Sequence, residues 1–270
     1  MGPFLRTLRP DTARLRRVFD RHAHMVGDPH RTEPLMRAIK RTVHTGDVVV
    51  DVGAGTGILA LAACQAGAKR VYAIDVDGEA LELAAWYAKR LGCEGRIVFL
   101  EGLSHAVQLD EKVDVLIAEI VGQLGFEENI LVSLKDAKRR WLKRGGIIIP
   151  ERIELWGAPR TRGTLLSSPQ RLADVSFRKT FPTTLHLHPT FTVKRDGVLR
   201  GLAAWPRVTW THGCITDAAP SKPKTHWGQG LLDITPTRVR RGERTRWEIV
   251  MRPDPKNPLV ETEVLWRRCP

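Results

Sequence analysis

The sequence predicts an α/β protein: a parallel sheet of five strands interleaved with helices, preceded by further helices and followed by an antiparallel β-barrel-like domain. Three observations carry this. From Val48 to Ile153, short apolar runs alternate with amphipathic segments, as strands buried on both faces of a parallel sheet do. Beyond Pro150 that rhythm stops, and short β-rich pieces separated by turn residues replace it. Finally, 270 residues of which 42% are hydrophobic and 27% charged suffice for a buried core in one large domain or two small ones.

Residues 11–25 and 31–44 space their apolar side chains as helices do, with Leu15, Val18 and Phe19 in the first and Leu35, Met36, Ile39 and Val43 in the second. The five apolar runs are VVVDVG, RVYAID, RIVFLEG, VDVLIAE and GGIIIPERI. GILALAACQAG and DGEALELAAWYAKRLG read as helices between them, and ENILVSLKDAKRRWLK as the helix before the last. Its cationic end, Lys138 to Arg140 with Lys143 and Arg144, suits the negative pole of a helix. The β-rich pieces include ERIELWGA, RVTWTHG, RTRWEIVMR and LVETEVLW. The predicted division is N-terminal helices over 1–46, the sheet over 47–150 and the β-rich domain over 151–270.

Lys plus Arg number 43 against 30 acids, a net charge of +13 that favours anionic partners as readily as it describes a solvated basic surface. The stretch TRVRRGERTRW reads as a hairpin that sets Arg238 and Arg240 beside Arg244 or Arg246. No apolar run approaches twenty residues, so no membrane span is predicted. The basic N-terminal stretch has no apolar core of a secretory signal. Cys64, Cys93, Cys214 and Cys269 are scattered, which predicts a reducing, cytoplasmic setting and no structural zinc. His186 and His188 share a strand face but lack a third ligand, so no metal is expected.

The most informative stretch is VVVDVGAGTGILALAACQAGAKRVYAID. Asp51, Gly53, Gly55 and Gly57 follow a strand and open a helix, where glycines admit a ligand close to the backbone. Asp75 ends the next strand and can accept hydrogen bonds from both hydroxyls of a ribose. A dinucleotide fingerprint would place a further glycine at position 58, which is Ile58. The GxGxG spacing with its preceding acid instead resembles motif I of class I S-adenosylmethionine-dependent methyltransferases, which implies a Rossmann-like sheet and that cofactor.

A second cluster follows the fourth strand in AEIVGQLGFEEN. Glu119 and Glu128 stand nine residues apart around Gly122 and Gly125. Paired carboxylates favour a cation between them, and a guanidinium fork suits that slot. The plainer reading is that Glu127 and Glu128 serve the dipole of a first helical turn.

This spacing, with Phe19-Asp20, Ala23, His24 and Arg37 upstream and Thr225-His226-Trp227 downstream, resembles the protein arginine methyltransferases over about residues 15–267. The resemblance implies catalytic roles for Glu119, Glu128 and His226. It implies that Arg37, Asp51, Gly53, Gly55, Gly57, Asp75, Glu119 and the backbone of Leu103 and Ser104 contact S-adenosylmethionine, Arg37 through the methionine carboxylate. His22, Arg31 and Trp227 would then border the acceptor. The family's two helix tyrosines are Val18 and His22 here, the acid expected opposite the histidine is Pro34 beside Glu33, and Arg31 replaces a methionine. His105 stands at the position of the family's adenine-contacting acid, and the chain after Pro150 is too short for its helical dimerisation arm.

The implied activity is methyl transfer to a guanidinium or related amine nitrogen of a protein, a peptide or a small molecule, by a monomer or a dimer built without the arm. Rivals are an enzyme acting on free arginine or another small guanidine, a nucleic-acid methyltransferase drawing on the basic surface, and an inactive cofactor-binding scaffold. Against the nucleic-acid reading, the turn after the fourth strand is AEIVGQ and not an NPPY-like turn that stacks a flipped base.

Overall fold

The computed structural model describes Pro10 and Thr12 to Cys269. Asp11 and the basic N-terminal stretch through Arg9, read above for targeting signals, lie outside these residues. The chain forms two compact units, and it passes between them more than once: 133–151 and 209–216 join the first unit, and 121–132 joins the second.

The first unit is built on β1 (Val48–Val52), β2 (Arg70–Asp75), β3 (Ile97–Glu101), β4 (Val113–Ala118) and β5 (Leu142–Ile149), all parallel, in the order β3-β2-β1-β4-β5. Every residue of β1 is buried, which is why its sequence, Asp51 apart, is apolar without alternation. The order reverses between β1 and β4, and at such a point loops diverge to open a ligand crevice at the carboxyl edge.

Among the described residues four helices lie wholly in this unit: α1 (Ala13–Val26), α2 (Pro29–Thr42), α3 (Ile58–Gln65) and α4 (Gly78–Arg90). A fifth, α5 (Ile130–Arg140), begins in the second unit. Pro29 and the Asp28 cap start α2 two residues before the predicted point, with Asp28 accepting from the amides of His30 (2.9 Å) and Arg31 (3.4 Å). Asp77 caps α4 through the Ala80 amide. Across α1 and α4, Arg14 pairs with Glu79 and Glu82, and Arg21 with Asp77. These exposed pairs set the helix packing at little net energy.

Pro34 lies inside α2 and is buried there. It has no N–H to give the His30 carbonyl one turn earlier. The Thr216 hydroxyl donates to that carbonyl instead (3.1 Å) and itself accepts from the indole of fully buried Trp210 (2.8 Å). Thr216→Val therefore strands two buried polar groups, and a loss of about 2–4 kcal/mol is expected in denaturant unfolding.

One helix prediction is corrected. Lys143 and Arg144 belong to β5, where Lys143 donates to both Asp114 oxygens (2.8 Å). β5 is an edge strand whose first residues are largely exposed, so its polar start resembles a helix tail.

The second unit is antiparallel, and its strands are β6 (Arg152–Arg160), β7 (Gln170–Ser176), β8 (Leu185–Leu187), β9 (Thr190–Thr192), β10 (Gly197–Thr211), β11 (Cys214–Asp217), β12 (Gly230–Val239), β13 (Arg244–Pro253) and β14 (Thr262–Cys269). The last residues of β10 and the first of β11 belong to the first unit. One sheet runs β11-β10-β6-β7 with β12 also on β10, and the other gathers β14, β8 and β9 around β13. The predicted Arg238–Arg246 hairpin does not form: β12 pairs with β10 and β13 with β14, β8 and β9. Its turn is local, closed by the Glu243 amide on the Arg240 carbonyl, but the strands leave it for different sheets. Trp205, Trp247, Phe177 and Phe191 fill this unit, and buried Glu154 takes Arg171 (3.0 Å) and Arg207 (2.9 Å).

Among the described residues no helix is long and apolar enough to cross a membrane, no group of three or more His, Cys, Asp or Glu could hold a metal, and all four cysteines are free.

Candidate active site

The parallel sheet sets the glycine loop, Asp75, the Leu103–Ser104 turn and Glu119 at the carboxyl ends of β1, β2, β3 and β4 in turn. These are the positions from which an open α/β sheet binds ligands.

Gly53, Gly55 and Gly57 all have positive φ (74°, 50° and 75°). A β-carbon on Gly53 would stand 2.5 Å from the Ile120 side chain, and one on Gly57 2.5 Å from that of Ala84, so packing demands glycine at both. At Gly55 a β-carbon would meet nothing within 4 Å. The loop backbone is therefore open at its middle glycine. It runs into α3, whose first turn has no side-chain cap and leaves its amides for a polar ligand group.

Asp75 holds this loop in place. One of its oxygens accepts from the Gly55 amide (2.7 Å) and the other from the Asp77 amide (2.8 Å). A carboxylate has about four acceptor directions, so two bonds leave capacity for a diol.

Asp51 is 0% exposed, so it is not itself a ligand-contacting surface. Both its oxygens lack a hydrogen-bond partner among the described residues. Burial drives its carboxyl up to about 7. The Ala60 amide in the first turn of α3 pulls down without reaching hydrogen-bond geometry, Asp75 adds an upward push, and Arg31 a further downward one. An ungratified carboxylate behind an open glycine loop fits a cationic ligand such as a sulfonium nucleoside.

Leu103 accepts from the Ala106 and Val107 amides, and the Ser104 carbonyl accepts from Arg140. His105 next to them has both ring nitrogens buried without a hydrogen-bond partner among the described residues, and burial lowers its pKa. The Arg37 side chain is 54% exposed on α2 and forms a loose ion pair with Glu33 at 3.8 Å. His22 lines a small cleft with Phe19, Thr56, Leu83 and Tyr87, and its Nδ1 lies 2.9 Å from the Val18 carbonyl. Leu83 and Tyr87 were not among the residues singled out from sequence, since on an amphipathic helix they read simply as core.

Glu119 and Arg31 form the site's least expected contact. Their side chains are 4% and 3% exposed, and an Nη2 of Arg31 donates to Glu119 Oε2. The Arg31 fork also reaches toward the Met25 carbonyl (3.5 Å). Arg31 is the third residue of α2, aimed inward by the Asp28 cap.

In the second unit, Glu128 lies in the turn before α5, two residues short of the helix, so it does not sit in a first helical turn. Glu127 does the local work: its carboxylate accepts from the Leu124 amide (2.6 Å), and burial raises its pKa. His226 packs its ring against Trp227 at 5.0 Å in a turn closed by Gly228 on Thr225. Trp227 is 3% exposed and belongs to the packing of that unit.

Comparison with known proteins sharpens these observations. Residues 25–152 match the family described as ribosomal protein L11 methyltransferase (PrmA). A probable protein arginine N-methyltransferase 6 of Arabidopsis thaliana is 43% identical over 140 residues, covering 51% of this chain and 32% of its own. An arginine N(omega)-methyltransferase of Streptomyces achromogenes is 29% identical over 272 residues, covering 82% of this chain and 73% of its own. The chain spans between a third and about half of the first curated relatives it matches. A Trypanosoma brucei PRMT1 enzyme–prozyme complex with AdoHcy superposes with a TM-score of 0.80 at 22% identity, covering 93% of this chain and 98% of that one.

The open β3-β2-β1-β4-β5 sheet, its glycine loop and the strand-end acids define the class I methyltransferase fold. Within that class, the chain is similar to arginine methyltransferases.

Proposed function

We propose that this protein transfers a methyl group from S-adenosylmethionine to a nitrogen of a guanidinium or closely related amine. The observation that carries the reading is Glu119: a buried carboxylate at the carboxyl edge of the sheet whose partner in the fold is a guanidinium, that of Arg31. The environment of Glu119 is thus suited to that chemical group.

When bound, the cofactor supplies an electrophilic methyl on a sulfonium. The chain's contribution is placement. The loop at Gly55 and the uncapped start of α3 take its polar end, Asp75 offers its remaining lone pairs to the ribose, and Asp51 supplies negative potential behind the loop. Arg37, exposed and loosely held by Glu33, supplies a cation for the amino-acid carboxylate. Glu119, and by the sequence pattern Glu128, orient the acceptor nitrogen and offset the positive charge as it is alkylated. His226 is assigned an orienting role.

The relatives' names favour a protein acceptor, while the Streptomyces relative is named for arginine itself. A free guanidine acceptor is favoured by one further observation. Among the described residues no helix follows Arg140, the part of the chain in which the family's helical arm would be expected.

Glu128→Gln tests the reading. Transfer to an arginine-rich peptide and to L-arginine is expected to fall at least a hundredfold, with S-adenosylhomocysteine affinity by calorimetry within threefold of wild type. Unchanged turnover would overturn the assignment.

A further inference from the structure

The family pattern leaves Glu119 to an incoming acceptor, yet in this protein the carboxylate is already taken. Arg31 projects from the first turn of α2, is locked at its backbone by Asp28, and delivers a buried guanidinium to Glu119 from 88 residues away. Surface arginines pair and unpair at little cost, but this pair is excluded from water on both sides, where removing one partner leaves an uncompensated charge. An acceptor that brings its own guanidinium to Glu119 thus meets a like charge in possession of the site.

We infer that Arg31 is a specificity-determining residue: an internal guanidinium that occupies Glu119 at rest and admits an acceptor guanidinium only by exchange. The inference rests on the assignment of Glu119 to the acceptor site. It accounts for an arginine at a position where the family pattern has an uncharged methionine. Exchange keeps the charge on Glu119 matched throughout, so the site rejects uncharged amines, which would leave Glu119 unpaired on displacing Arg31. Guanidinium acceptors in turn bind less tightly than they would to a vacant carboxylate.

The test uses methylguanidinium as the probe and the full chain saturated with S-adenosylhomocysteine. In Arg31→Ala the probe is expected to bind at least tenfold tighter than in wild type by calorimetry, and to restore thermal stability in a saturable way. Arg31→Ala/Glu119→Gln is expected to show neither effect. Should Arg31→Ala not fold, Arg31→Lys replaces it: the ammonium lacks the planar fork, and the probe is expected to bind at least threefold tighter than in wild type. Equal or weaker binding in these variants would overturn the inference. Because this readout needs no methyl transfer, it separates the two readings. Exchange without any transfer supports the inference and overturns the proposed activity. Transfer to guanidines with the same KM in wild type and Arg31→Ala does the reverse.

Discussion

Glu119→Gln is expected to destabilise the protein by about 3–5 kcal/mol, because it strands the Arg31 guanidinium in the interior without a countercharge. Both side chains are almost wholly excluded from solvent, so water cannot compensate as it does for a surface pair. In thermal unfolding this corresponds to a fall of roughly 6–20 °C for a chain of this size. Removing both partners is expected to cost much less. Arg31→Met/Glu119→Leu replaces the pair with apolar side chains, and a buried ion pair is often matched by such a substitution. The sum of the two single losses should therefore exceed the loss of the double variant by at least about 2 kcal/mol. A Glu119→Gln protein within about 1 kcal/mol of wild type would show that the pair is not held in the interior. The same substitution is expected to lower methyl transfer even at temperatures where the variant stays folded, since the proposed function has Glu119 orient the acceptor.

Asp51→Asn is expected to act in the opposite direction. The folded carboxyl titrates at about 7 against an ordinary value of 3.8, so the folded state holds its proton more tightly than the unfolded chain. Stability then falls as pH rises from about 4 to 7, and the penalty is complete above 7, where it amounts to about 4 kcal/mol. Asparagine has no proton to lose. The variant should gain on wild type as pH rises, by about 2.5 kcal/mol between pH 5 and pH 8, measured by urea unfolding. Its cost should appear in cofactor binding. A nearby cation favours the ionised carboxylate, so wild type should bind S-adenosylmethionine roughly tenfold tighter at pH 7.5 than at pH 6. Asp51→Asn should lose that dependence. A wild-type affinity flat across this range would separate Asp51 from the ligand.

Much of the sheet was legible because its strands are covered on both faces: β1, β2 and β4 are mostly apolar, and Gly53, Gly55 and Gly57 mark where the chain turns with positive φ. Elements whose environment is less uniform were harder. β5 has an exposed start, so Lys143 and Arg144 looked like a helix end although they extend the sheet. The Arg240–Glu243 turn has a hairpin's local chemistry, but strand pairing is decided by long-range partners, which sent β12 and β13 to different sheets. Asp75 was legible as a strand-end acid, but its bond to the Gly55 amide was not, since a side chain's reach back to a loop twenty residues earlier leaves no periodic trace. Pro34 looked like the loss of an acid, and its structural consequence, the bond from Thr216 to the His30 carbonyl, is equally non-local. The pairing of Arg31 with Glu119 joins a capped helix start to a strand end. Only the fold brings them together, and residue type alone cannot show it.

The most direct test follows the methyl group. Wild type and Glu128→Gln are each incubated with methyl-labelled S-adenosylmethionine, cell lysate and added L-arginine, and the labelled product is separated into protein, nucleic acid and small-molecule fractions and identified. Label on a guanidinium nitrogen, present with wild type and absent with Glu128→Gln, is the predicted result, and the fraction that carries it identifies the acceptor as protein or free guanidine. Label confined to nucleic acid, or equal label with both proteins, would contradict the account.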